Sequence, residues 1–174
     1  MKTLIFIFSI LVLASTIYSA ENAIAKGSML FGGMVSYSSE NTTEATQSTV
    51  GTSLRTGFFV ADRVAVGPEI LYINTQTNGR SASLLQAGVF FDCFVGDEDG
   101  DIFGRAGLGS NIISYDHRGY GVVFNPRIGL ECLFSKRAAF DIEIGYMKTH
   151  YYSEVYPIDS DKIYLSVGLL GFYY

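Results

Sequence analysis

The chain has 174 residues, a formal net charge of −5 at pH 7 and 48% hydrophobic residues. The acidic balance leaves no basic patch for nucleic acid, and beyond the N-terminal segment no stretch holds the ~18 uninterrupted apolar residues of a spanning helix. Glycine is frequent at 19 residues and aromatic residues reach 14%, which, with valine, isoleucine and threonine in short runs, is typical of β-strands. The composition excludes nucleic acid as a partner and favours an all-β fold.

Residues 1–25 have the pattern of a secretory signal, because one lysine precedes an apolar run too short to cross a bilayer. Two cleavage points fit. Cleavage after Ala25 uses an A-x-A pattern, whereas cleavage after Ala20 has Tyr18 in the position of the first small residue. We favour Ala25, which predicts an exported chain whose residues 26–174 form a single domain.

Eight runs alternate apolar and polar residues with a period of two, the pattern of strands that have one apolar face. In residues 64–74, for example, valine, isoleucine and tyrosine alternate with Gly67 and Glu69. The runs lie at residues 28–38, 50–60, 64–74, 84–95, 104–112, 122–134, 140–146 and 162–174. We therefore predict eight antiparallel strands.

The connections between these runs also alternate. Tight turns at residues 61–63, 96–101 and 135–137 contrast with longer polar segments between the other runs. Short turns on one rim, long loops on the other and an even number of strands are typical of an outer-membrane barrel. The predicted fold class is all-β, an eight-stranded antiparallel up-and-down transmembrane β-barrel.

One face of these strands carries charge and glycine. The charged positions are Arg55, Glu69, Asp92, Arg105, Arg127, Glu131, Asp141 and Glu143. A secreted lipocalin-like barrel would turn this face to water, but recurrent glycine fits a cramped lumen better. We predict that these charges fill the lumen and that the arginines pair with acids such as Glu69, Glu131 and Glu143, because buried charges need partners.

The two cysteines, Cys93 and Cys132, fall on the fourth and sixth predicted strands. Two inter-strand steps are about 9.5 Å, beyond the ~7 Å limit between Cα atoms for a disulfide. We expect both to be unbridged and to face outward.

Two loop features could carry chemistry. The acidic turn at residues 96–101 resembles part of a calcium loop, but the full ligand pattern is missing and acids with glycine are ordinary turn residues. The long-loop rim carries His117 and His150, with Ser114, Asp116 and Ser153 nearby. Nothing fixes their spacing as a nucleophile and its base, so we expect no enzyme, no metal site and no cofactor.

Several segments carry a family resemblance: "KGSMLFGGMVSYS" at residues 26–38, "GFFVADRVAVG" at 57–67, "FGRAGLG" at 103–109, "NPRIGLECLFSKRAAFDIEIGY" at 125–146 and the terminal "GFYY". The mature chain resembles the outer-membrane protein β-barrel domain family of Gram-negative bacteria, porin-like or OmpA-like small barrels. The resemblance implies an eight-stranded barrel in outer-membrane lipid and no catalytic residues. It also implies a C-terminal strand that the barrel assembly machinery recognises, with Tyr174 in place of the commoner phenylalanine.

The last strand has two apolar faces, so its register is ambiguous. Ile163, Leu165, Val167 and Leu169 form one face, and Leu170, Phe172 and Tyr174 form the other. We expect the second set to face lipid and to form the C-terminal assembly signal. The overall prediction is a monomeric integral outer-membrane barrel with a structural or surface-interaction role and a non-conducting lumen. A narrow passive pore and a secreted ligand-binding barrel are the alternatives.

Overall fold

The computed structural model describes residues 24–41, 46–77, 80–96, 101–115, 119–153 and 158–174. They form eight strands: β1 (Met29–Asn41), β2 (Thr46–Ala61), β3 (Val64–Thr77), β4 (Arg80–Gly96), β5 (Ile102–Tyr115), β6 (Gly119–Ser135), β7 (Ala138–Ser153) and β8 (Ile158–Tyr173). Each strand pairs antiparallel with the next, and β1 pairs with β8, so the sheet closes into a barrel. The predicted all-β barrel is confirmed. No helix in the described ranges is long and apolar enough to cross a membrane.

The strands are longer than predicted, at 13 to 17 residues. The polar segments expected to be long loops are largely strand, because β3 runs to Thr77 and β4 begins at Arg80. We call the end where β1 begins and β8 ends the terminal end, and the opposite end the far end.

The register sets the width of the barrel. Met34 on β1 pairs directly with Gly168 on β8. If its cross-strand partners are followed the other way round the barrel, from β2 to β8, the path ends at Ile158 instead. This stagger of ten residues, from 158 to 168, tilts the strands by about 40° and gives a backbone radius of about 8 Å. Such an interior is just wide enough to be filled by side chains.

The outer surface is apolar along every strand. Leu54 on β2 is 67% exposed and Ile163 on β8 is 71% exposed. The residues that alternate with these exposed positions along each strand point inward. The exposed aromatic residues on this surface include Tyr37, Phe58, Tyr72, Phe91, Phe134 and Tyr146. This distribution is the reverse of a water-soluble barrel, in which the apolar face would be enclosed.

The expected register of the last strand is wrong. Leu170 and Phe172 are only 1% and 3% exposed and lie inside the barrel, and Tyr174 packs against the same interior cluster. Leu170 fits because it faces Gly32 on β1, where an added Cβ would overlap the Leu170 side chain. The outer face of β8 is instead the one that contains Ile163, Leu165 and Val167.

The cysteine prediction is confirmed. Cys93 and Cys132 are free thiols and half-buried. Cys93 pairs with Ala106 on β5, and Cys132 pairs with Ile102 on the other side of the same strand, so a whole strand separates them.

The segment before β1 is anchored at the terminal end. Ile24 packs against the interior apolar cluster and its carbonyl accepts a hydrogen bond from the Arg63 N–H at 2.7 Å. Ala25 accepts from the Ser28 N–H at 3.1 Å. A chain that began at Lys26 would lose all of these contacts.

We therefore expect the mature chain to begin at Glu21, after the alternative cleavage point at Ala20. Intact-mass spectrometry of protein recovered from cells with its export machinery will measure the start. A mass that corresponds to a Lys26 start would contradict this expectation. Blocking cleavage with a bulky residue at Ala20, but not at Ala25, should leave the precursor unprocessed.

Candidate functional site

Arg105 lies at the centre of a charged layer across the middle of the lumen. Its Nη1 is 3.2 Å from Asp92 Oδ2, its Nη2 is 2.9 Å from Asp141 Oδ2 and 2.7 Å from Glu143 Oε2. Its Nε donates to Glu131 Oε1. One guanidinium therefore binds four carboxylates, which uses the planar fork of arginine to its full extent.

Arg127 and Arg55 complete the layer on either side. Arg127 Nη1 donates to Glu69 Oε2 at 2.6 Å, and its Nη2 is 3.3 Å from Asp92 Oδ1. Arg55 contacts Asp92 at 3.4 Å and also donates to Asp141. The layer thus contains three guanidinium groups and five carboxylates.

The structure places all eight charged residues named from the sequence in this one layer, each between 0% and 5% exposed. The contacts of Arg105 and Arg127 include the expected acids Glu69, Glu131 and Glu143. Sequence reasoning missed the role of Asp92 and Asp141, which each bridge two or three arginines.

A polar group adjoins the charged layer on its far side. The Tyr164 hydroxyl is 2.8 Å from Asn125 Oδ1 and 2.9 Å from Glu143 Oε1. The Tyr164 ring lies over Gly145, its direct partner on β7, where an added Cβ would overlap the ring. The absence of a side chain at Gly145 thereby leaves room for the tyrosine ring inside the barrel.

An apolar cluster, which we call the plug, occupies the terminal end of the lumen. It consists of Leu30, Phe59, Ala65, Phe90, Phe94, Ala139, Leu170 and Phe172. The Phe59 and Phe94 rings lie 5.5 Å apart. The Phe90 ring joins the plug to the charged layer, since the guanidinium carbons of Arg55 and Arg127 lie 5.9 and 5.6 Å from its centre.

The plug was not predicted, although the sequence held its signal. Phe90 and Phe94 share the parity of Asp92 on β4, and Phe59 shares the parity of Arg55 on β2. Alternation along a strand therefore places these rings on the lumen side, although no prediction was made for them.

A cavity of about 250 Å³ opens above the polar group at the far end. A neighbouring cavity of about 300 Å³ lies where β1 and β8 separate, since their pairing stops at Tyr37 and Leu165. Its walls include inward-facing Ser38 and Lys162 together with outward-facing Ile163.

The loop candidates from the sequence are only partly visible. His117, Asp116 and residues 97–100 of the acidic turn lie outside the described residues, as do the side chains of Ser114 and Ser153. His150 is half-buried on β7 opposite Asp159. Within the described ranges, no group of three His, Cys, Asp and Glu side chains is placed to hold a metal ion.

Comparison with known proteins agrees with this geometry. The outer membrane protein OprG of Pseudomonas aeruginosa superposes with a TM-score of 0.59 over 88% of this chain and 99% of its own, at 12% identity. The fold is that of the small outer-membrane β-barrels. The N-terminal β-barrel domain of OprF from the same organism gives 0.53 over 85% of this chain and 98% of its own, also at 12% identity. No protein-family model and no curated protein matches the sequence.

A small outer-membrane barrel fold explains the inverted distribution of side chains. Apolar groups occupy the outside and paired charges occupy the inside. The likeness at 12% identity concerns the fold, so activity has to be argued from the lumen itself.

Proposed function

We propose that the protein is an integral β-barrel of the outer membrane of a Gram-negative bacterium, with a structural or surface-interaction role and a lumen that does not conduct. The filled lumen carries this proposal, because the charged layer and the apolar plug follow one another along its axis. The apolar outer surface of all eight strands supports burial in lipid.

A narrow passive pore is disfavoured by the same contacts. A permeating ion would have to displace guanidinium groups that each bind two or more buried carboxylates. Removing one partner from such a buried pair costs about 3–5 kcal/mol. The ion would then have to pass the plug, where the rings of Phe59, Phe94 and Phe172 pack together without polar partners.

A secreted ligand-binding barrel is disfavoured by the outer surface. Such a carrier would leave residues like Leu54, Val95 and Ile163 in water, and each of these is more than 65% exposed. Fractionation separates the two proposals, since a lipid-embedded barrel is recovered with outer membranes and migrates differently on gels before and after heating. Recovery of the whole protein in the soluble periplasm would overturn our proposal.

The lumen prediction is tested by electrical recording. We expect the folded protein in a planar lipid bilayer to show no steady conductance steps, because side chains of the charged layer and of the plug fill the lumen at two levels. A conducting porin inserted at the same ratio of protein to lipid provides the positive control, and heat-modifiable migration of the same sample shows that the barrel is folded. Regular steps of constant size that require the protein would show that the lumen conducts.

A further inference from the structure

The cavity at the far end is enclosed mainly by β1–β4, β7 and β8. Its inner surface is apolar, formed by Leu71, Met147 and Leu84. Serine and threonine hydroxyl groups, together with the Lys162 ammonium group, surround its outer part. Two of these hydroxyls, on Thr49 and Thr75, lie 3.2 Å apart. The cavity is therefore an apolar space with a polar entrance.

The size of the cavity limits what can enter. Its volume of about 250 Å³ exceeds the ~150 Å³ of an engineered apolar cavity that binds benzene. It is smaller than the ~300–1,000 Å³ of sites for drug-sized ligands. A single aromatic ring or a short alkyl chain fits.

Gln86 supplies a polar group in the cavity wall with unmet hydrogen-bonding capacity. This residue is 1% exposed, and its Oε1 has no hydrogen-bond partner among the described residues. A buried amide oxygen without a partner is unfavourable, so a bound molecule that hydrogen-bonds to it is favoured. Because the amide can be turned by 180°, either its oxygen or its nitrogen can meet a bound molecule. A hydroxyl group satisfies both orientations, since it donates and accepts.

We propose that this cavity binds a small amphiphile with an apolar body and one hydroxyl group, the class of phenol and short-chain alcohols. The apolar body contacts Leu71 and Met147, and the hydroxyl hydrogen-bonds to Gln86. The site lies on the far side of the charged layer, so it does not depend on whether the lumen conducts.

Phenol and toluene test this proposal as a pair, since they differ mainly in a hydroxyl in place of a methyl group. In the full mature protein labelled at methionine methyl groups, phenol should shift the Met147 signal saturably. Met29, on β1 at the terminal end and outside the cavity lining, should not shift. Toluene should bind about fivefold more weakly, the equivalent of one net hydrogen bond.

The variant Gln86→Met should remove this preference, so that phenol and toluene bind equally, whereas Leu85→Ile on the outer face of the same strand should preserve it. Shifts that grow linearly with ligand at Met29 and Met147 alike would show partitioning into detergent and would overturn the proposal. Equal binding of the two probes to the unaltered protein would also overturn it, and this comparison stands even if Gln86→Met does not fold.

Discussion

Replacing Arg105 with methionine should lower the free energy of unfolding by about 3–5 kcal/mol, the cost of leaving buried charges without their partner. Arg105 binds Asp92, Glu131, Asp141 and Glu143. Methionine preserves most of the side-chain volume of Arg105 but removes its positive charge. Five buried carboxylates then remain close together with only two arginines to neutralise them. The urea midpoint for loss of the folded gel band in lipid vesicles measures the effect.

Lys136→Met provides the matched control, because Lys136 lies exposed in the turn between β6 and β7. We expect it to change stability by less than about 0.5 kcal/mol, as is usual for surface positions. The loss of stability in Arg105→Lys should lie between those of Arg105→Met and Lys136→Met. An ammonium group keeps the positive charge but cannot hydrogen-bond to several carboxylates in the planar geometry of a guanidinium group. A stable Arg105→Met barrel with an unchanged midpoint would mean that the charged layer contributes nothing to stability.

Gly67→Ala should be the second strongly destabilising change, by about 1–3 kcal/mol, the typical cost of overpacking. Gly67 on β3 faces β2 where the ladder skips from Arg55 to Phe58. An added Cβ would overlap the carbonyl oxygen of Thr56 and approach the Gly57 backbone. Because these are backbone atoms, the two strands must move apart, and the Phe90 ring that covers Gly57 moves with them.

Gly104→Ala is the control for this substitution, since it makes the same chemical change on β5. Its added Cβ would lie 3.5 Å from the Val95 carbonyl oxygen, an ordinary contact. We expect no loss of stability, and a gain of a few tenths of a kcal/mol through the lower freedom of the unfolded chain is consistent with known glycine replacements. Equal urea midpoints for the two variants would contradict the packing argument.

Much of this architecture could be predicted from alternation alone. The period of two placed Asp92, Arg105 and Asp141 on one face because their neighbours along each strand are apolar. Alternation could not predict that the lumen changes from charged to apolar along its axis. A residue's odd or even position in a strand shows which face it lies on, but not which side chains it meets across the barrel. Phe90 shows this limit, because it shares a face with Asp92 but packs in the plug.

The last strand shows a different limit. Leu170 and Phe172 are apolar and were expected to face lipid, but they share the parity of Ser166 and Gly168, the residues that mark the lumen face of this strand. Alternation does not show how a leucine fits inside, because the space is provided by Gly32, more than 130 positions earlier in the chain. Strand ends were also hard to predict, because the polar residues beyond Tyr72 continue the alternation outside the apolar band.

The charged layer also has a consequence for how the barrel is made. Its members come from β2 to β7, and Arg55 reaches an acid 86 residues away. A chain with only some strands in lipid would present carboxylates whose counter-charges have not arrived, at a cost of several kcal/mol each. We therefore expect partly inserted barrels to be unstable in the bilayer, so that insertion becomes favourable only when the barrel closes and the charges are paired.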